Sequence, residues 1–138
     1  MEKFKFLEHT ADIKFQAFGK TLEKAFENSA LAMFKAMSDD KIKSKIKKKI
    51  KVQGKDYESL LYNFLEELLF LVDSENFFVG KVKVKISGFN LEAEFLGDSV
   101  KNYSCHIDVK AVTYNQMFVK KEKRAEGELW VCQVVIDV

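Results

Sequence analysis

The stretch DYESLLYNFLEELLFLV, residues 56–72, decides the fold. Asp56 is a residue type that begins helices, and apolar side chains then recur at three- and four-residue steps. The apolar face that they form is wider than that of a helix that packs against a single layer. We therefore predict a helix that starts near residue 57 and is buried between a sheet and a second helix. Its apolar face consists of Tyr57, Leu60, Leu61, Phe64, Leu65, Leu68, Leu69 and Val72.

The second helix is predicted upstream of this stretch. Thr21 is a suitable N-cap, and an apolar stripe of helical spacing follows it until residues 38–40. Residues 13–17 before this helix, and residues 41–52 after it, alternate between apolar and polar side chains, which is typical of half-buried strands. The stripe of this helix consists of Leu22, Phe26, Ala30, Met33 and Met37.

The second half of the chain is predicted to consist of strands. Residues 82–86 and 91–95 alternate around the turn at residues 87–90, which predicts a hairpin. If its strands are in register, lysines lie opposite glutamates on the exposed face, which is a favourable arrangement. The other predicted elements are a loop over residues 97–104, a strand over 107–114, a charged turn over 120–127 and a central, almost wholly apolar strand over 129–138.

The length and composition indicate one globular domain. The 138 residues suffice for a single core, and 47% hydrophobic with 32% charged residues is typical of a folded protein. Separate helices and hairpins favour an α+β fold, a single domain over residues 1–138 with two helices packed on a mixed or antiparallel sheet. The charged start of the chain is unlike a signal peptide, and no apolar run approaches the roughly 18 residues that a membrane span needs. We expect a cytoplasmic protein without membrane contact.

The segment Lys41–Lys55 contains eight lysines, and two interpretations stay open. One is a patch that follows RNA phosphates. The other, which we favour, is a solvated strand face whose lysines protect a sheet edge from aggregation. The net charge of +2 does not by itself indicate a nucleic-acid-binding protein.

Classical catalytic patterns are missing from the sequence. There is no glycine-rich phosphate loop and no motif of a zinc protease or serine hydrolase. A nucleophile formed by Cys105 or Cys132 with His9 is conceivable, but we favour both cysteines as strand residues.

Two aspartates are notable for their positions. Asp12 precedes a predicted strand, and Asp137 ends an otherwise apolar one. A carboxylate there must be exposed, hydrogen-bonded or neutralised by a cation, because desolvating it costs free energy. From the residues alone we favour exposure.

Four ordered blocks give the sequence a resemblance to a known family. Together they closely resemble the archeases and span the chain from residue 9 to its last residue. The blocks are HTADI at residues 9–13 with GKTLEKAFEN at 19–28, LLYNFLEELL at 60–69, VKAVTY at 109–114, and Trp130 with VIDV at 135–138.

The resemblance implies an accessory protein and not an enzyme. Archeases activate the RtcB-type RNA ligase of tRNA splicing, promote its guanylylation and multiple turnover, and broaden the nucleoside triphosphates that it accepts. This chain would then reach tRNA indirectly, through the ligase, and we expect a monomer. An alternative suggested for the family is a chaperone-like binding module for tRNA-modifying enzymes such as a tRNA methyltransferase.

The resemblance also implies a divalent-metal site, described in the family as binding calcium. Its ligands map onto Asp12, Asp137 and the main chain of Val138. Such oxygen donors suit a hard cation. Lys110 in the third block is a candidate counter-charge or partner contact, or else a solvent-facing strand lysine.

The sequence departs from the family pattern at two positions. Asp108 and Asn115 stand where relatives commonly have glutamate and histidine. Neither position belongs to the three implied ligands, so the departures affect only roles assigned to that acid and that histidine.

Overall fold

The structure is a computed structural model that describes residues 1–9 and 11–138. These residues form two α-helices and seven β-strands, with a short 3-10 turn at Val100–Asn102. The elements are β1 Phe4–Leu7, β2 Ile13–Gly19, α1 Leu22–Met37, β3 Ile46–Gln53, α2 Tyr57–Glu75, β4 Phe77–Ser87, β5 Asn90–Ser99, β6 Ala111–Arg124 and β7 Gly127–Asp137.

The strands form two sheets, and every strand pairing is antiparallel. One sheet has the order β1-β2-β7-β6 and the other the order β3-β5-β4. The α+β class with two helices on antiparallel strands is confirmed, although the strands divide between two sheets. The last strand is central in the larger sheet, as its apolar sequence predicts.

Both helices begin at the predicted caps. The hydroxyl of Thr21 accepts a hydrogen bond from the N–H of Lys24 at 3.1 Å, and α1 ends at Ser38. Asp56 and Ser59 form a reciprocal capping box at the start of α2. Asn76 ends α2 in the left-handed conformation, with φ of 53°.

The core lies where the helices meet the two sheets, because both helices contact strands of both. The ring of Phe64 on α2 stacks on Phe26 of α1 at 6.0 Å between centroids, and on Phe95 of β5 at 6.3 Å. All three side chains are fully buried. Burying a side chain of this size contributes about 1.5–3 kcal/mol. Phenylalanine therefore links the two helices to the smaller sheet.

Three glutamates on the helices accept hydrogen bonds from backbone N–H groups of strands that pair on one side only. Glu27 of α1 accepts from Val84 of β4 at 2.9 Å. On α2, Glu58 accepts from Val119 and Glu66 from Val112, both on β6. These bonds satisfy donors that no neighbouring strand reaches and fix the helices against the outer strands.

The β4–β5 hairpin is confirmed with its predicted charge pattern. Ser87 pairs with Asn90 across a two-residue turn, in which Gly88 has φ of 60°. Glycine adopts this conformation without steric cost. Lysines of β4 lie opposite glutamates of β5.

Several predicted boundaries were wrong. The strand expected over residues 41–52 begins only at Ile46, and residues 97–99, expected in a loop, continue β5. The strand expected over residues 107–114 begins at Ala111. It continues through most of the expected charged turn at residues 120–127, because β7 pairs with it as far as Arg124. Charged side chains on the solvent face of a paired strand resemble a turn in sequence.

No helix in the described part of the chain is long and apolar enough to cross a membrane.

Replacing Glu27 with alanine is expected to lower the free energy of unfolding by about 1–3 kcal/mol, because the buried N–H of Val84 loses its acceptor. Urea denaturation measures the change. Glu23→Ala, on the same helix, is the control and is expected to change stability by about 0.5 kcal/mol or less. Equal stability of the two variants would contradict the assigned role of Glu27.

Candidate metal centre at the strand ends

The two aspartates singled out in the sequence lie at the same end of two paired strands. β2 and β7 are antiparallel, with Ile13 opposite Ile136. Asp12 and Asp137 are the next residues along each chain at this end. Continuing the register by one residue sets them opposite each other, so their side chains belong to the same face of the sheet.

A third segment joins this end from the other side of β7. Ala111 of β6 lies opposite Asp137, and the N–H of Lys110 donates to the main-chain oxygen of Asp137 at 2.8 Å. The same register continued brings Lys110 beside Val138. The fold therefore gathers all four predicted site residues at one end of the larger sheet.

The backbone before Asp12 is strained. Ala11 has φ of 69°, a left-handed conformation that costs a residue with a Cβ atom about 1–2 kcal/mol. Strain of this kind persists only where the surroundings determine the conformation, and it concentrates at functional sites. The turn at Ala11 directs the chain into β2 and so sets the position of Asp12. Thr10, which precedes it in the first sequence block, lies outside the described residues.

The two carboxylates have no cationic partner in the described part of the chain. Both aspartates are half-buried, and neither forms an ion pair with a described residue. The nearest lysine along β2, Lys14, instead donates to the side-chain oxygen of Gln116 at 2.8 Å. Like charges directly opposite across a strand pair are destabilising, so a bound cation would stabilise this strand end.

The donor atoms suit a hard cation. Within residues 1–9 and 11–138, no three His, Cys, Asp or Glu side chains cluster as a metal site. Two carboxylates therefore need main-chain oxygens, such as that of Val138, and solvent to complete a ligand shell. A shell made only of oxygens is typical of calcium, whereas zinc sites usually include Cys or His ligands.

His9 opens the first block and has a buried Nδ1 atom without a hydrogen-bond partner among the described residues. Buried polar atoms in folded proteins are rarely left in this state. His9 belongs to no described metal-type cluster, so the oxygen donors remain the candidate ligands.

A row of amides crosses the outer face of the sheet four residues along β2 and β7 from the aspartates, and sequence reasoning missed it. Gln16 donates to the side-chain oxygen of Gln133 at 2.9 Å, and Gln133 donates to the main-chain oxygen of Gln116 at 2.7 Å. Gln116 has φ of 56° and lies in a register shift between Thr113 and Phe118. The row ties β2, β7 and β6 together. The only sign of this amide row in the sequence is that the alternation of apolar and polar residues stops after residue 114.

The sequence blocks also contact one another in space. Tyr62 of the second block stacks on Tyr114 of the third, with ring centroids 4.3 Å apart and planes 9° from parallel. Glu66 of the second block accepts the N–H of Val112 of the third at 2.8 Å. Partial desolvation raises the pKa of the Tyr114 phenol, and electrostatic interactions with Tyr62 and Asp56 raise it further. The phenol therefore stays neutral near pH 7, and 54% of the Tyr114 surface is exposed.

The two departures from the family pattern lie on the surface. Asp108 is exposed in the segment before β6, and Asn115 is exposed in the register shift. The N–H of Asn115 donates to the hydroxyl of Thr113 at 3.3 Å. Lys110 is also exposed.

Comparisons with known proteins agree over nearly the whole chain. The profile of the Archease protein family (MTH1598/TM1083) matches residues 4–138. The protein archease of Thermococcus kodakarensis is 41% identical, and the match covers 100% of both chains. The protein archease of Methanosarcina barkeri is 39% identical over 99% of this chain and 97% of its own.

A solved structure shares the fold. The solution structure of protein 1598 of Methanobacterium thermoautotrophicum superposes with a TM-score of 0.78 at 32% identity, and the match covers 100% of both chains.

Neither cysteine has the low thiol pKa that a nucleophile paired with His9 would need. Cys132 is fully buried in β7, and burial raises the pKa of its thiol to about 12. Cys105 is free and exposed, in the segment before β6, so the expectation that it is a strand residue was wrong. Burial and the charges of Asp108 and Asp40 raise the pKa of the Cys105 thiol. Both shifts oppose the thiolate that a nucleophile requires.

Titration of the native protein with a thiol reagent at pH 8 is expected to label Cys105 alone, and titration after denaturation is expected to label both cysteines. The Cys105→Ser variant is the control and should show no native labelling, because Cys132 is protonated and inaccessible. Rapid native labelling of that variant would contradict the burial of Cys132.

Proposed function

The chain belongs to the archease family, and we propose that it is an accessory protein that activates an RtcB-type RNA ligase and is not itself an enzyme. In this role it promotes guanylylation and multiple turnover of the ligase and broadens its use of nucleoside triphosphates. It acts in the cytoplasm and reaches tRNA through the ligase. The family match over residues 4–138 supports this proposal.

The observation that carries the proposal is the pair of half-buried aspartates at adjacent strand ends, without a cationic partner among the described residues. In the proposed site, the carboxylates of Asp12 and Asp137 and the main-chain oxygen of Val138 hold a divalent cation, calcium in the first instance. A cation there neutralises the two carboxylates and offers its remaining positions to oxygen atoms of phosphate or of a partner protein.

The chain's own residues would keep this site rigid. The main chain of Asp137 is held by the N–H of Lys110 on one side and by the β2 register on the other. The strained turn at Ala11 fixes Asp12. The exposed side chain of Lys110 is proposed as a contact to the ligase at the same end of the sheet.

Asp12→Asn and Asp137→Asn are each expected to abolish activation, because they remove the charge that holds the cation while keeping the side-chain shape. The assay is multiple-turnover RNA ligation by a matched ligase with GTP and divalent metal, with and without this protein. Asp73→Asn, an exposed aspartate on α2, is the control and should activate like the native protein. Full activation by both site variants would overturn the role of the aspartates. If the native protein fails to stimulate a ligase that completes a single turnover, the chaperone-like module becomes the better hypothesis.

Calcium is expected to stabilise the native protein and to have no such effect on Asp137→Asn. Ligand at about 100 times its dissociation constant adds about 2.7 kcal/mol to the free energy of unfolding. Without divalent cations, Asp137→Asn is expected to be at least as stable as the native protein, because the variant lacks one of the two facing negative charges. Thermal unfolding with calcium and with EDTA measures both effects. Equal calcium shifts in the two proteins would place the cation elsewhere.

A further inference from the structure

The outer face of the three-stranded sheet presents six lysines in two rows. Three come from β3 and three from β4, and the central strand β5 lies between the rows. We call these positions the lysine face. Its cross-strand sets are Lys47, Leu96 and Lys81; Lys49, Glu94 and Lys83; and Lys51, Glu92 and Lys85.

The charge of the lysine face exceeds that of the whole chain. Six lysines and two glutamates leave four excess positive charges there, whereas the chain as a whole has a net charge of +2. All three lysines of the β3 row pair with glutamates of β5. Lys47 lies 2.8 Å and Lys49 3.7 Å from a carboxylate oxygen of Glu94, and Lys51 lies 3.4 Å from one of Glu92. The hydrogen bond from Lys47 is the main cause that lowers the pKa of Glu94.

The β4 row is not neutralised. No carboxylate of the described residues lies within ion-pair distance of Lys81, Lys83 or Lys85. All three side chains are exposed. Their ammonium groups are available to an external anion.

The lysine face contains a shallow depression between its two rows of lysines. This depression, of about 530 Å³, lies over Glu92 and Glu94, between Lys49 and Lys51 on one side and Lys83 and Lys85 on the other. Alternate residues of a strand are about 6.6 Å apart, and two rows separated by one strand are about 9.5 Å apart. The result is a shallow trough with a row of cations along each wall.

The chemistry of the lysine face indicates contact with phosphates. Its nine positions include no aromatic residue, so they offer no platform on which unpaired bases stack. Leu96 is the one apolar member and is 36% exposed, whereas protein interfaces depend on buried aromatic or large apolar anchors. Rows of exposed cations at regular intervals of about 6.6 Å suit the regularly spaced phosphates along the backbone of a nucleic-acid duplex.

We propose that the lysine face binds the phosphate backbone of double-stranded RNA, independently of the metal centre on the other sheet. The choice of RNA over DNA rests on the proposed function. Binding of this kind depends on charge and shape and is independent of base sequence. It would give the protein a direct contact with RNA beside its contact with the ligase.

The test measures binding of the protein alone, in EDTA and without ligase, to a fluorescent RNA stem of about 16 base pairs. Native protein should bind at about 50 mM salt, with an affinity that falls steeply as salt rises. The variant Lys81→Gln/Lys83→Gln/Lys85→Gln should lose at least about tenfold in affinity and reduce the salt slope by about three, one for each phosphate contact. Lys20→Gln/Lys101→Gln/Lys123→Gln removes the same charge from exposed lysines elsewhere and should retain most of the affinity and slope.

Three results would overturn the proposal: no salt-dependent RNA binding by native protein, equal losses in the two triple variants, or equal affinity for a DNA duplex. If the first occurs and the Lys81, Lys83 and Lys85 variant also fails to bind the ligase, the lysine face is a protein-docking surface. Because ligase and metal are absent from the RNA assay, its failure leaves the activator role standing. Conversely, failure of ligase activation leaves the RNA result intact.

Discussion

The pairing of β7 on both sides determines most of this structure. Side chains alternate along β7, so Cys132, Val134 and Ile136 enter the core while Gln133 and Asp137 lie on the outer face. A slip of one residue against β2 would exchange the two sets and move the half-buried carboxylate of Asp137 to the core face. The apolar core thus enforces the same register that sets Asp137 opposite Asp12. Packing and the candidate site depend on one alignment.

The helices stabilise that alignment through polar as well as apolar contacts. Buried phenylalanine rings pack the helices on the strands, but apolar packing alone allows a helix to slide. Carboxylates at Glu58 and Glu66, eight residues apart on α2, bind N–H groups seven residues apart on β6. Two such bonds define both the position and the direction of the helix along the strand. β6, which begins opposite Asp137, is therefore held by β7 on one side and by α2 on the other.

The sequence predicts the local elements well and their assembly poorly. Caps at Thr21 and Asp56, and the glycine turn at residue 88, locate both helices and the hairpin because these signals act over a few residues. The length of β6 was underestimated, since its pairing depends on β7 and not on its own composition. The residues of the candidate site came from family resemblance, while their opposition across two strands requires a register that no local pattern contains. The sequence reveals the lysines of β3 and of β4 separately. It does not reveal that they share one face, because both strands pair with β5 and not with each other.

The connection of β2 to β7 also has a kinetic consequence. Gln16 and Gln133, which hydrogen-bond across these strands, are 117 residues apart in the chain. Closing so long a loop is slow compared with forming a helix or the β4–β5 hairpin, whose contacts are local. The larger sheet is thus expected to close late in folding, after the smaller sheet and the helices have formed. Its two aspartates meet only when that step is complete, so a cation bound between them would distinguish mature molecules from incompletely folded ones.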